Sequence, residues 1–213
     1  GTRQHFHSDA VHFHSEPAGF MCGVWVALED IDADAGPLEY YPGSHQLPYL
    51  QARDVGYQQQ PGSNPDQSIF HPYWQAVVQS QRFERQLFTP RLGQALIWTS
   101  NLLHGGAPVA NPALTRWSQV THYFFEGCRW YTPMLSDWPS GPVAWRRPLD
   151  VATGELVRLD VAIDGLAPDL IQGLEAVLTL LSEAQWAEAE VALDPILESQ
   201  PSASTETLQK VVA

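Results

Sequence analysis

The residues of this chain best suited to chemistry are its eight histidines, set among 24 acidic residues and a single lysine, Lys210. Spacing decides which of them to promote. His7-Ser8-Asp9 places an imidazole and a carboxylate two residues apart, and residues i and i+2 of a β-strand share a face. His104 follows an apolar stretch and precedes Gly105-Gly106, where a side chain can turn inward from a strand end. Two histidines and a carboxylate on one side of a metal, with the other positions open, form the facial triad of non-haem Fe(II) centres. An H-x-D alone is weak. Arg116-Trp117-Ser118 sharpens it, because on an alternating strand Arg116 and Ser118 share a face and suit the far carboxylate of a 2-oxo diacid. Arginine is the fitting cation, since its planar fork pairs with a carboxylate through two bonds.

The elements that must position these groups are mostly short strands. Gln4–Phe13 and Phe20–Leu28 read as strands, Pro37–Tyr41 as a short one, and Gln94–Thr99 and Thr115–Phe125 as two more, with Ala35-Gly36-Pro37 and Pro42-Gly43-Ser44 as turns. Short strands joined by tight turns predict a sandwich or barrel. Residues 48–68 read as a long loop of the kind that serves as a functional lid, and Tyr73–Arg85 as a short amphipathic helix. Beyond Pro142 the pattern changes, and Leu170–Leu197 carries apolar residues at helical spacing. The expected organisation is a β-rich domain over 1–160 and a helical extension over 161–213.

The quoted segments HSDAVHF, MCGVWVALEDID, AGPLEYYPGSHQLP, ALIWTSNLLHGGAP and TRWSQVTHYFFEG, in this order from Gln4 to Met134, resemble the phytanoyl-CoA dioxygenase family of Fe(II)- and 2-oxoglutarate-dependent oxygenases. The resemblance implies a mainly β fold, a double-stranded β-helix (jelly roll), here with a C-terminal helical segment. It implies His7, Asp9 and His104 as iron ligands, Arg116 with Ser118 as the anchor of the 2-oxoglutarate C5 carboxylate, and Trp25 lining the co-substrate pocket. Gly106 departs from the family, which often has serine there. The implied cofactors are Fe(II), 2-oxoglutarate and O2, and the implied reaction is hydroxylation of a small organic substrate with release of succinate and CO2. Asp9 favours hydroxylation, because halogenating relatives carry a small residue in its place. The family normally has a helical part ahead of the H-x-D strand, and this chain opens on Gly1 close to that strand, so a preceding part is expected.

Other groups have plainer readings. His5 falls at the fraying start of a strand, His12 and His14 on the opposite face from His7, and His122 on the inward face with Arg116 and Ser118 as a buried polar neighbour. His45 and His71 have no partner that spacing identifies. Trp98, Trp117, Tyr123, Phe124 and Phe125 read as barrel core, and Glu29, Asp30, Asp32 and Asp34 as a solvated acidic loop. The tail segment Trp186–Pro201 weakly resembles half a tetratricopeptide repeat, which would offer a surface to a protein partner. Against it, Pro195 would kink that helix.

Composition bounds the partners. With 11 basic against 24 acidic residues, a formal charge of −13, and no basic run, the chain is not built to hold nucleic acid or an anionic membrane. Seven arginines face 11 acids up to Pro133, whereas 4 basic residues face 13 acids beyond it, so most of the negative charge belongs to the tail. No apolar run approaches the roughly 20 residues of a membrane span. Cys22 and Cys128 read as buried free thiols, which suits a reducing, cytoplasmic setting.

Overall fold

The computed structural model describes residues 3–58, 65–137, 139, 141, 143–157, 188 and 191–192. Two compact units divide the chain, Gly1–Pro148 and Leu149–Ala213. In the second, an isolated antiparallel bridge joins Leu149 and Leu156, and Glu188, Val191 and Ala192 are helical. The rest of the expected helical segment and the repeat-like stretch lie outside the described residues. No helix among the described residues is long and apolar enough to cross a membrane.

The first unit is mainly β. Its strands are β1 (Gln4–His7), β2 (His14–Glu16), β3 (Met21–Ala27), β4 (Leu38–Tyr40), β5 (Gln86–Phe88), β6 (Ala95–Thr99), β7 (His104–Gly106), β8 (Ser118–Phe124) and β9 (Arg129–Tyr131). They form antiparallel sheets in the orders β1-β7-β4-β5 and β6-β3-β8, with β2 and β9 paired separately. These crossed-over orders are those of a jelly roll. β3 alternates buried and half-buried residues along its whole length, with Met21, Gly23, Trp25 and Ala27 on the buried face. In register with it, β6 turns Trp98 inward opposite Gly23, and β8 turns His122 and Val120 opposite Gly23 and Trp25. Trp25, Ala27, Ile31, Leu38 and Trp98 make one core cluster, contributed by strands of both larger sheets.

A second cluster, Val11, Tyr41, Ala52, Phe70, Trp74, Leu103 and Met134, involves the helix α1 (His71–Gln81). This is the helix expected over Tyr73–Arg85. It starts earlier because Pro72 fits its first turn, and ends earlier because Arg82 adopts φ 56, a left-handed conformation that cannot continue it. Turns of 3-10 helix over Ala52–Val55 and Gln67–Phe70 bury Ala52 and Phe70 in that same cluster.

Three sequence expectations are corrected. Gln4–Phe13 is not one strand: β1 stops at His7 and a 3-10 turn follows over Asp9–Val11. Trp117, Tyr123 and Phe125 are not core but 66%, 39% and 49% exposed, and they alternate with His122 and Phe124, which are half-buried. Cys22 and Cys128 are free but only half-buried, and Cys22 lies on the outward face of β3.

His14 of β2 packs edge-on against Tyr49 and Tyr131 at 4.6 and 5.2 Å between ring centres, and its Nδ1 is buried without a hydrogen-bond partner among the described residues. Burial pushes its pKa from 6.5 down to about 4. As pH falls through 6.5 the unfolded chain takes up a proton that folded His14 refuses until about pH 4, so stability declines across that window. The urea midpoint of metal-free protein is expected to drop from pH 7 to pH 4.5, and His14→Phe to lessen the drop. An undiminished drop in the variant contradicts this assignment.

Candidate metal centre

β1 and β7 pair antiparallel with His7 directly opposite His104. The register shifts between Gln4 and His7, so β1 carries a bulge. There its backbone passes so close to Gly105 that an added Cβ would meet the Gln4 carbonyl oxygen at 2.7 Å and Phe6 Cα at 2.9 Å. The bulge also undoes the alternation that would have pointed His5 with His7. His5 is exposed and lies 5.0 Å from the His71 ring.

Asp9 reaches the same place by a different route from the strand alternation predicted. Ser8 is extended and caps the turn, its Oγ accepting from Ala10 N–H at 3.2 Å and donating toward Ser100 O at 3.2 Å and Asn101 Oδ1 at 3.0 Å. Ala10 N–H also bonds Ser100 O at 2.9 Å. The segment after β6 thus fixes the turn that carries the carboxylate.

The result is a buried cluster of His7, Asp9 and His104, each at most 5% exposed, with one ligand atom from each lying within 4.8 Å of the others. His7 Nε2 is 3.5 Å from Asp9 Oδ1, and His104 Nε2 is 3.6 Å from Oδ2. Each imidazole sets its Nδ1 on the carbonyl two residues earlier, His7 on His5 O at 3.0 Å and His104 on Leu102 O at 2.9 Å. That bond takes the Nδ1 proton and leaves Nε2 a lone pair facing inward. Burial drives the His104 pKa down to about 4, so this ring is neutral at neutral pH. Burial also pushes Asp9 up, but its interactions with His104, His122 and His7 outweigh it and hold Asp9 well below the ordinary carboxylate range. The centre therefore gathers acceptors: two bare nitrogens and an ionised carboxylate, out of water, which is costly unless a cation joins them. A divalent metal fits this donor set.

The other large sheet meets Asp9 from its opposite side. Trp98 Nε1 donates to Asp9 Oδ2 at 2.8 Å, and His122 Nε2 lies 3.1 Å from the same oxygen. Sequence reasoning placed Trp98 in the core and His122 inside the barrel, and both are there. Their bonds to Asp9 were not foreseen. A buried indole N–H needs an acceptor, and that requirement was the available clue.

Arg116 lies just ahead of β8 rather than on it, half-buried, with Nη1 donating to the Gly36 carbonyl. Glu29 grips the chain on both sides of it, accepting from Thr115 Oγ1 at 2.8 Å and from Trp117 N–H at 2.7 Å. The acidic loop is solvated as expected, with Asp30, Asp32 and Asp34 exposed, and its carboxylates also pin backbone: Asp30 accepts from Leu92 N–H at 2.8 Å and Asp32 from Asp34 N–H at 2.8 Å. Among the described residues no carboxylate forms an ion pair with Arg116. Ser118 opens β8 opposite Ala27, and Trp25 is 6% exposed, edge-on to Phe88 at 5.9 Å. From His122 the inward face of β8 runs through Val120 to Ser118, leading from Asp9 toward Arg116.

A family model described as phytanoyl-CoA dioxygenase matches residues 1–117, more than half of the chain. The chain belongs to the phytanoyl-CoA dioxygenase family. Within and beyond that family, the chain is 33% identical over 118 residues to an ectoine dioxygenase of Nocardia farcinica, a match covering 53% of this chain and 39% of that protein. It is 49% identical over 39 residues to phytanoyl-CoA dioxygenase domain-containing protein 1 of Danio rerio, covering 18% of this chain and 13% of that protein. The chain thus spans well under half the length of these relatives. Similar solved structures include the epimerase SnoN of nogalamycin biosynthesis in complex with Fe3+, alpha ketoglutarate and nogalamycin RO, at 22% identity and TM-score 0.46 over 74% of this chain and 55% of that one. Another is EctD from S. alaskensis, at 22% identity and TM-score 0.45 over 67% and 46%.

For this family member, metal-free protein is expected to bind one equivalent of Co(II), followed by its visible absorption. His104→Ala and Asp9→Ala, each removing one donor from the cluster, should weaken that binding by about a hundredfold or more. Retention of wild-type affinity in both variants contradicts the assignment of the centre.

Proposed function

We propose that this chain carries the catalytic barrel of an Fe(II)- and 2-oxoglutarate-dependent dioxygenase that hydroxylates a small organic substrate. The observation that carries this reading is the pairing of two features across one barrel interior: the His7, Asp9 and His104 acceptor cluster, and a half-buried guanidinium, Arg116, with no carboxylate partner among the described residues. Two histidines and one carboxylate are the donors of the facial triad, and they leave metal positions for other ligands. Family membership and the ectoine dioxygenase relative support the same reading.

Iron with 2-oxoglutarate and O2 supplies the oxidant: the co-substrate loses CO2 and becomes succinate carrying one oxygen atom, while the other is inserted into a substrate C–H bond. The chain's own residues position the reactants. Arg116 offers its guanidinium to the far carboxylate, and Ser118 adds a hydroxyl donor on the inward face of β8. Glu29 holds the chain on both sides of Arg116 and the Gly36 carbonyl accepts from its Nη1, so both ends of the side chain are held. Trp25, Leu38 and Phe88 make an apolar wall that excludes water from the buried interior. Asp9 would supply a carboxylate donor where a small residue would leave room for a halide, and this favours hydroxylation.

Anaerobic addition of Fe(II) and 2-oxoglutarate should produce the weak visible charge-transfer band of the chelated co-substrate. Arg116→Ala should raise the 2-oxoglutarate concentration needed for half-saturation by about a hundredfold, the scale of truncating one side of a partly buried charge pair. No band in the wild type sinks the cofactor assignment, and an unshifted titration in Arg116→Ala sinks the anchor.

A further inference from the structure

We infer that Trp98 and His122 act as positioning residues that tie down the Oδ2 arm of Asp9, leaving Oδ1 as the arm offered to the metal, and that Gly23 serves this function by making room for the indole. The inference rests on the reading of His7, Asp9 and His104 as metal ligands.

A carboxylate has two equivalent oxygens, and a buried one will turn either or both toward a cation unless something distinguishes them. Here the two arms differ. Each oxygen has one candidate ligand ring near it, His7 Nε2 at 3.5 Å from Oδ1 and His104 Nε2 at 3.6 Å from Oδ2, but Oδ2 alone also accepts the Trp98 indole N–H at 2.8 Å and sits 3.1 Å from His122 Nε2. Indole N–H is only a donor and never competes for metal, so it is suited to occupy one arm permanently. His122 donates to the same oxygen when Nε2 carries its proton. The donor is held in place by a stack: Phe13 lies on the His122 ring at 4.4 Å and 23°, and the Arg146 guanidinium covers the Phe13 ring at 4.5 Å. Arg146 is itself fixed by bonds from Nε to His12 O at 3.0 Å and Thr132 Oγ1 at 2.8 Å.

The indole is fixed from below. Gly23 of β3 faces Trp98 of β6 and His122 of β8 in register, so all three lie on one rung of the sheet. A Cβ at position 23 would run into the Trp98 six-membered ring and come within 2.7 Å of Nε1 itself. Any larger residue there must push the indole off its place and with it the N–H off Asp9. The Trp98 ring also lies 4.5 Å from the His104 ring at 47°, so one side chain contacts two of the three donors. The functional gain is a carboxylate that takes a single metal position, which leaves more of them open for co-substrate and O2.

Trp98→Phe keeps a ring and deletes the N–H, and His122→Phe keeps the stack on Phe13 and deletes the other donor. In Co(II)-loaded protein each is expected to weaken metal binding by about tenfold or more, the usual scale for partners of metal ligands, and to alter the visible ligand-field bands as Oδ2 is released toward the metal. Gly23→Ala should reproduce the Trp98→Phe spectrum, and the two changes combined should do no more than either alone. A purely structural role predicts instead a lowered melting temperature with wild-type bands. Co(II) affinity within twofold of wild type and unchanged bands in both Trp98→Phe and His122→Phe overturn the inference. Failure of the wild type to bind Co(II) removes the metal reading beneath it, an outcome visible before any variant is compared.

Discussion

A carboxylate buried to 3% exposure must be compensated on every side, and most of this architecture can be understood as the compensation of Asp9. Its partners arrive from separate elements: His7 and His104 from adjacent strands of one sheet, Trp98 and His122 from the two strands flanking β3 in the other. The sheets cannot slide or separate without uncovering the charge. The Ser8 cap, held by Ser100 and Asn101, sets the backbone from which the carboxylate projects, so the connection after β6 is as necessary to the centre as the strands themselves.

The two sheets divide the work. One carries the imidazoles on β1 and β7, and the other carries the groups that orient: Trp98 and His122 around the carboxylate, then Ser118 along the same strand with Arg116 just beyond. The chemistry of an acidic chain makes Arg116 distinctive. Acids near the barrel are already engaged, Glu39 with Arg85 at 2.6 Å, Glu29, Asp30 and Asp32 with backbone N–H groups. Burial lowers the Arg116 pKa, and among the described residues no carboxylate forms an ion pair with it.

Much of this was legible in residue order. The strand runs at Pro37–Tyr41 and Gln94–Thr99 and the helix near Tyr73 are present, because β-branched and aromatic runs and helical spacing report local preference directly. The two-residue spacing of His7 and Asp9 picks out two side chains that do lie together, but a capped turn rather than strand alternation brings Asp9 there. Local pattern could not reveal that Glu29 brackets Arg116, since that contact joins residues 88 apart in the case of Trp117. Trp117, Tyr123 and Phe125 misled because aromatic residues favour strands on either face, and only the register with β3 decides which face is covered. Trp98 was placed correctly as core, but periodicity gives a direction and not a hydrogen-bond partner.

The direct opposition of His7 and His104 means that the candidate ligands are a cross-strand pair, and among the described residues β1 is the edge strand of its sheet. A slip of one residue would turn one imidazole to the opposite face and dismantle the pair. An ion held by both rings is therefore also a cross-link between an edge strand and its neighbour, and it stabilises only the correct register. Mass action then joins two properties usually discussed apart, because every factor of ten in free metal above its dissociation constant adds about 1.4 kcal/mol to the docked strand. Loading the centre and closing the barrel at this edge become one equilibrium.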